Sequence, residues 1–181
     1  MSTHITATVA PGEDYAVTLP SEPGRATDPR VVDFVRGFYA VSDDPARDGE
    51  WVAHFLPDAE LIIGGATARS TQEIRELRQS MWAQVAARKH ALGKLFPASF
   101  AAPPARAGPG TDMLTPDPEG AEFMLFGTVA RDWRGSGRRD EVPWAARAVL
   151  REAHEDEGET QAGKGGGAGK RLKFAFYQVY M

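Results

Sequence analysis

The feature that most narrows what this chain can become is a pair of long β-rich runs, Ala121 to Trp133 and Glu141 to Arg151, joined through Gly135-Ser136-Gly137. Glycines between two such runs turn a chain back on itself, so the pair reads as an antiparallel hairpin. A third run, Arg171 to Tyr180, carries Phe174, Phe176, Tyr177, Val179 and Tyr180, with apolar groups on both faces. A strand of that kind needs cover on both sides, which places it inside the sheet rather than at its edge.

The chain before these strands reads as mostly helical. Asp28 before Pro29 is an N-cap with proline at the first helical position, and Val31, Val35, Phe38 and Tyr39 follow at helical spacing to about Ser42. Asp48 caps a short second helix that sets Trp51 and Phe55 on one face, with Pro57 and Asp58 ending it. Ala59 to Ile63 is a brief strand, turned by Gly64-Gly65. Ser70 and Glu73 form a capping box, after which Ile74, Leu77, Met81, Trp82 and Val85 trace an apolar stripe along a helix of about four turns. From Arg88 to Phe96 the pattern alternates, with His90, Leu92, Lys94 and Phe96 on one face.

At 181 residues the chain suits one core. Residues 1–27 read as an arm that is loose or laid across the surface, and 28–181 as a single α+β domain. Its stretches 98–120 and 152–170, rich in glycine with alanine or charged residues, read as flexible inserts. Helices followed by long antiparallel strands predict a cone-shaped half-barrel: a strongly curved antiparallel or mixed sheet, closed by about three N-terminal helices, around an apolar pocket. The curved sheet leaves an apolar outer face, so a homodimer is expected.

Composition excludes several functions. A net charge of −4, from 21 Lys+Arg against 25 Asp+Glu, gives no surplus to neutralise phosphates, and nucleic acid is not expected as a partner. The basic groups Arg138-Arg139 and Lys170, Arg171, Lys173 read as solvated loop rims. The absence of cysteine removes thiolate chemistry and suits a cytoplasmic setting, and no segment reaches the ~18 apolar residues of a membrane span. His4, His54 and His154 show no ligand spacing, so no metal and no cofactor are expected. Gly163 to Lys170 fails as a phosphate-binding loop because Arg171 stands where serine or threonine is required, and no GxSxG elbow occurs.

His90 is the candidate catalytic group, because imidazole moves a proton near neutrality and this one sits on a strand facing the pocket; a hydrogen-bonded core histidine is the alternative. Tyr39 lies at the core end of the first helix, where packing alone also accounts for it. Trp51, Phe55, Trp82, Phe126, Trp144 and Tyr177 offer flat surface for an aromatic ligand or, singly, fill a core. Arg147, mid-strand among small residues, needs a partner: a ligand oxyanion, a carboxylate or a dimer edge.

The strings VVDFVRGFYAVSD, RKHALGKLF, EFMLFGTVARDW, PWAARAVL and KFAFYQVY, in this order, resemble the SnoaL-like branch of the nuclear-transport-factor-two-like (cystatin-like) superfamily, and most resemble its small fungal members. The resemblance implies the curved-sheet fold and, among dehydratases, cyclases, isomerases and epoxide-opening hydrolases, a cofactor-independent enzyme of secondary metabolism acting on an apolar oxygenated ring compound. A non-catalytic binding or dimerisation module of the same fold is the other implied role. Resemblance to scytalone dehydratase places Tyr39 as a water-orienting tyrosine and His90 as acid or base. It also shows departures: Ala40 stands where those enzymes have an aspartate, Gly127 lies near their second histidine, and the last three strands offer no pocket acid.

Overall fold

The computed structural model describes residues 15–21, 27–98, 120–153 and 171–181. Most of the expected arm, nearly all of both expected inserts, His4 and His154 lie outside them.

Helix α1 spans Pro29–Ser42, and the Asp28 side chain accepts the Arg30 N–H at 2.8 Å, as the cap pattern requires. Helix α2, Asp48–Ala53, is shorter than expected, because His54 ends it and Phe55 already opens strand β1, Phe55–Ile63. The backbone decides this: the His54 carbonyl accepts the Phe174 N–H at 2.8 Å, drawing the chain into the sheet ahead of Pro57. Gly64 and Gly65, at φ 58° and 85°, make the tight turn to β2, Ala66–Ala68, a strand the sequence pattern did not mark.

Helix α3, Thr71–Met81, starts as a shifted form of the capping box, with Ser70 Oγ accepting the Glu73 N–H at 3.2 Å while the Glu73 carboxylate takes the N–H of Arg69, one residue before the cap, at 2.6 Å. It ends three turns on, so Trp82 is its C-cap and Val85 begins strand β3, Val85–Ala98. Strands β4, Ala121–Trp133, β5, Arg139–Ala153, and β6, Arg171–Tyr180, follow.

The six strands form one mixed sheet in the order β2-β1-β6-β5-β4-β3. Every pairing is antiparallel except β1 with β6, so the last strand is indeed central. Register shifts between Val85 and Ala87, between Leu92 and Leu95, between Val149 and Leu150, and between Phe55 and Glu60 bend the ladder at four places and curve the sheet around the helices. Val35, Phe38, Trp51, Ile74, Leu125 and Phe174 fill the space between helices and concave face. Among the described residues no helix is long and apolar enough to cross a membrane.

The packed chain reaches back beyond Asp28. Thr18 exchanges backbone hydrogen bonds with Gly93 and Leu95 on β3, and Tyr15 is buried against the core.

Candidate active site

Between α1, the end of α3 and the concave face of the sheet lies a cavity of about 330 Å³. Its walls are mostly apolar, with Phe38, Trp51, Val129 and Val179 among them, and its polar groups include Tyr39, Arg88, His90 and Tyr177. This is the size and character of a small-molecule site.

His90 sits on β3, and Asp43 is the C-cap of α1, one helical turn beyond Tyr39. The Asp43 carboxylate accepts the His90 backbone N–H on Oδ2 at 2.8 Å and meets the ring Nδ1 on Oδ1 at 2.5 Å. Oδ2 also accepts the Tyr15 hydroxyl at 2.9 Å, and that hydroxyl accepts from Lys89 Nζ at 3.0 Å. Burial alone would raise the Asp43 carboxyl, but the hydrogen bonds and charge of His90, with Tyr15, outweigh it and hold the group below the usual range. An ionised Asp43 fixes the ring proton on Nδ1 and leaves the Nε2 lone pair for the cavity. Burial also pulls His90 below the ordinary histidine value, against the Asp43 hydrogen bond and charge and with help from Arg88 and Arg78. At neutral pH the ring is therefore an uncharged, oriented base.

Tyr39 and Tyr177 share a 2.7 Å hydrogen bond between their buried hydroxyls. Burial raises both phenols above their ordinary value, so they stay protonated and act as donors. Trp144 stacks on Tyr39 at 5.2 Å and stands edge-on to His90 at 5.7 Å. Its register partner is Gly127. A β-carbon at Gly127 would run into the Ala91 carbonyl oxygen and come within 2.9 Å of the Trp144 ring. The place near which the dehydratase resemblance puts a second histidine is thus taken up by an indole, and glycine is there to admit it.

Arg88, two residues before His90 on the same face of β3, is fixed on two sides. Its Nε and Nη2 donate to the Ser42 carbonyl at 3.1 and 2.6 Å, and its guanidinium lies 4.4 Å over the Trp82 ring. Burial lowers it to about 10, with Arg78 adding to the fall and Asp43 opposing it, so it remains charged at neutrality.

The expected site residues divide. His90, Tyr39, Trp51, Trp144 and Tyr177 all line the cavity. Phe55 does not, being packed between Trp51 and Phe174 in the core. Trp82 serves the arginines instead of a ligand, with Arg78 5.1 Å and Arg88 4.4 Å over its ring. Phe126 projects from the opposite face of the sheet, exposed and edge-on to Phe96 at 5.7 Å. Arg147 pairs with Glu122 at 2.6 Å and lies over Phe176, away from the cavity. Alternation explains the last two: residues one step out of phase with Trp144 or Leu125 face outward.

The acid beside His90 is Asp43, which comes from a helix end instead of the last three strands and holds the ring from behind the cavity wall. Its signal was present as the acidic residue one turn after Tyr39, a spacing that puts both on one helix face. Arg88 was signalled by its two-residue spacing from His90 in RKH.

No family model and no curated protein matches the chain. Solved structures do. A protein from Novosphingobium aromaticivorans named for scytalone dehydratase superposes with a TM-score of 0.57 at 8% identity, over 83% of this chain and 80% of that one. The hexachlorocyclohexane dehydrochlorinase LinA-type3 from Novosphingobium barchaimii gives 0.57 at 10% identity, over 84% of each chain. A protein of cystatin-like fold from Nostoc punctiforme gives 0.52 at 13% identity, over 83% and 86%. The architecture of this chain is accordingly the nuclear-transport-factor-two-like, or cystatin-like, one.

Proposed function

We propose that this chain, on its nuclear-transport-factor-two-like fold, is a cofactor-independent enzyme of secondary metabolism, of the SnoaL-like kind, that moves a proton of an apolar oxygenated ring compound. Dehydration, cyclisation, isomerisation and epoxide opening all begin or end with such a transfer. The observation that carries this reading is His90 in the wall of an apolar cavity, held from behind by Asp43. His90 Nε2 takes the proton, Asp43 holds tautomer and orientation, the Tyr39–Tyr177 pair donates to a substrate or water oxygen, and Trp51 and Trp144 bracket the ring.

The test is hydrogen exchange from carbon. Cyclic and aromatic ketones are incubated with the protein in heavy water, and deuterium uptake is followed by mass spectrometry. The protein accelerates uptake for at least one ketone, and His90→Gln lowers that rate about 10²- to 10⁴-fold. Equal rates for the two proteins would remove His90 from the mechanism.

The homodimer is proposed to form through the convex face. There Phe126 and Tyr180, both partners of Ala145 in the ladder, stand in one row beside Phe96, and the three are 44%, 44% and 45% exposed. Large apolar groups grouped on a sheet surface favour a second copy over water.

A further inference from the structure

One donor beside the base lacks a strong acceptor. Among the described residues the Nη1 group of Arg88 has only the Met81 sulfur, 4.0 Å away, as partner. The Trp144 Nε1–H, without a hydrogen-bond partner among the described residues, is buried away from the cavity, and the indole faces it with its ring. Both residues line the cavity and both flank His90, one along β3 and the other edge-on to its ring. The Asp43 carboxylate is already committed to His90 and Tyr15, with Arg88 Nε at 3.8 Å. A largely buried guanidinium with one edge turned to a thioether costs free energy that a bound oxygen would recover.

We propose that Arg88 Nη1 forms an oxyanion site beside His90, and that the substrate is a carbonyl compound whose oxygen becomes anionic as the proton leaves the neighbouring carbon. The inference rests on the proton-transfer reading and adds to it the class of substrate and the group that holds its charge. In the step, the C–H bond breaks and its proton passes to His90 Nε2. The electron pair of that bond forms the enolate double bond, and the carbonyl π pair moves onto oxygen, where Arg88 meets it. Return of the proton from Nε2 to carbon restores the ring base and closes the step without any oxidant or reductant. Neutral His90 and charged Arg88 are the two states this needs at one pH. The anchoring of Nε and Nη2 on the Ser42 carbonyl keeps the guanidinium from turning away to solvent.

A phenolate mimics an enolate in shape and charge, and para-nitrophenol changes colour on ionisation. The wild-type protein is titrated with para-nitrophenol below the solution pKa of that phenol, and with para-nitroanisole as the neutral isostere. Bound nitrophenol shows the phenolate absorbance. In Arg88→Met its affinity falls about tenfold or more and the bound spectrum reverts to the neutral phenol, while nitroanisole affinity falls by a much smaller factor. Wild-type protein that binds the neutral phenol overturns the proposal without any variant, and so does an Arg88→Met protein that keeps the phenolate. The two readings fail separately. Phenolate binding with no deuterium uptake leaves the oxyanion site standing and removes the enzyme, whereas uptake with no phenolate preference removes the site and leaves the enzyme.

Discussion

Asp43 holds His90 at two points, its backbone N–H at 2.8 Å and its ring Nδ1 at 2.5 Å, so the end of α1 sets both where the imidazole sits and which nitrogen carries its proton. An ion pair alone would fix neither.

That double grip makes Asp43→Asn informative. The asparagine carbonyl would keep the backbone N–H, which turns its amide N–H₂ toward Nδ1 and forces the ring proton onto Nε2, removing the base. Activity falls by about 10²- to 10⁴-fold. In the wild-type protein, rates rise with pH through a midpoint below the ordinary histidine value of ~6.5, because burial depresses His90 and only its neutral form is competent. Asp43 opposes that depression, so the residual activity of Asp43→Asn rises at still lower pH. A pH–rate profile checks both the level and the direction.

Stability follows the same sign. A histidine whose folded value lies below its unfolded one stabilises the fold fully above ~6.5 and progressively less as the pH falls through the folded value. Asp43 has its folded value lowered as well, and its contribution is lost in turn at more acid pH. Urea midpoints measured from neutrality downward therefore fall in the wild-type protein, and the His90 part of the fall is missing from His90→Gln.

The Tyr39–Tyr177 hydrogen bond predicts non-additivity. Tyr39→Phe leaves the Tyr177 hydroxyl buried without its partner, and Tyr177→Phe does the converse, each at about 1–3 kcal/mol. The double variant has no orphan to bury and costs less than the sum of the two, as denaturant unfolding of all four proteins will register.

Gly127→Ala and Gly37→Ala move stability in opposite directions. The first drives a methyl group into the Ala91 carbonyl and the Trp144 ring, costing about 1–3 kcal/mol and displacing the indole from the cavity. The second lies in α1 with open space at its β-carbon and gains up to about 1 kcal/mol from helix propensity. Thermal or denaturant midpoints distinguish them, and nitroanisole affinity drops only in the first.

Interruption of the convex row tests the homodimer. Phe126→Glu leaves the cavity intact and yields a monomer by light scattering, while the wild-type protein scatters as a dimer at micromolar concentration.

Local chemistry made much of this fold legible. The caps at Asp28 and Ser70, the hairpin of β4 and β5 and the two-faced β6 are written in short stretches of chain. Boundaries that tertiary pairing decides were not. Phe55 fits a helix face by spacing and joins a strand because Phe174 is there to pair with it. The site divided along the same line. His90 and Tyr39 lie on elements with clear periodicity, whereas Asp43, one residue past the end of the first helix, acquires its role only when the fold sets it against β3. Phe126 and Arg147 were misassigned because sheet face depends on register, and a one-residue change of phase exchanges pocket for surface. Trp82 was misassigned because nothing in its neighbourhood along the chain announces Arg88 above its ring.

The central place of β6 bears on how the molecule is made. Phe55 pairs with Phe174 and Ile63 with Val179, so β1 leaves the ribosome long before the strand that must lie beside it. Until then the helices have half a sheet to pack on, and the cavity has no floor. Assembly must wait for the latest-made strand to enter between two earlier ones, an order that slows folding and gives a nascent chain time to meet a chaperone.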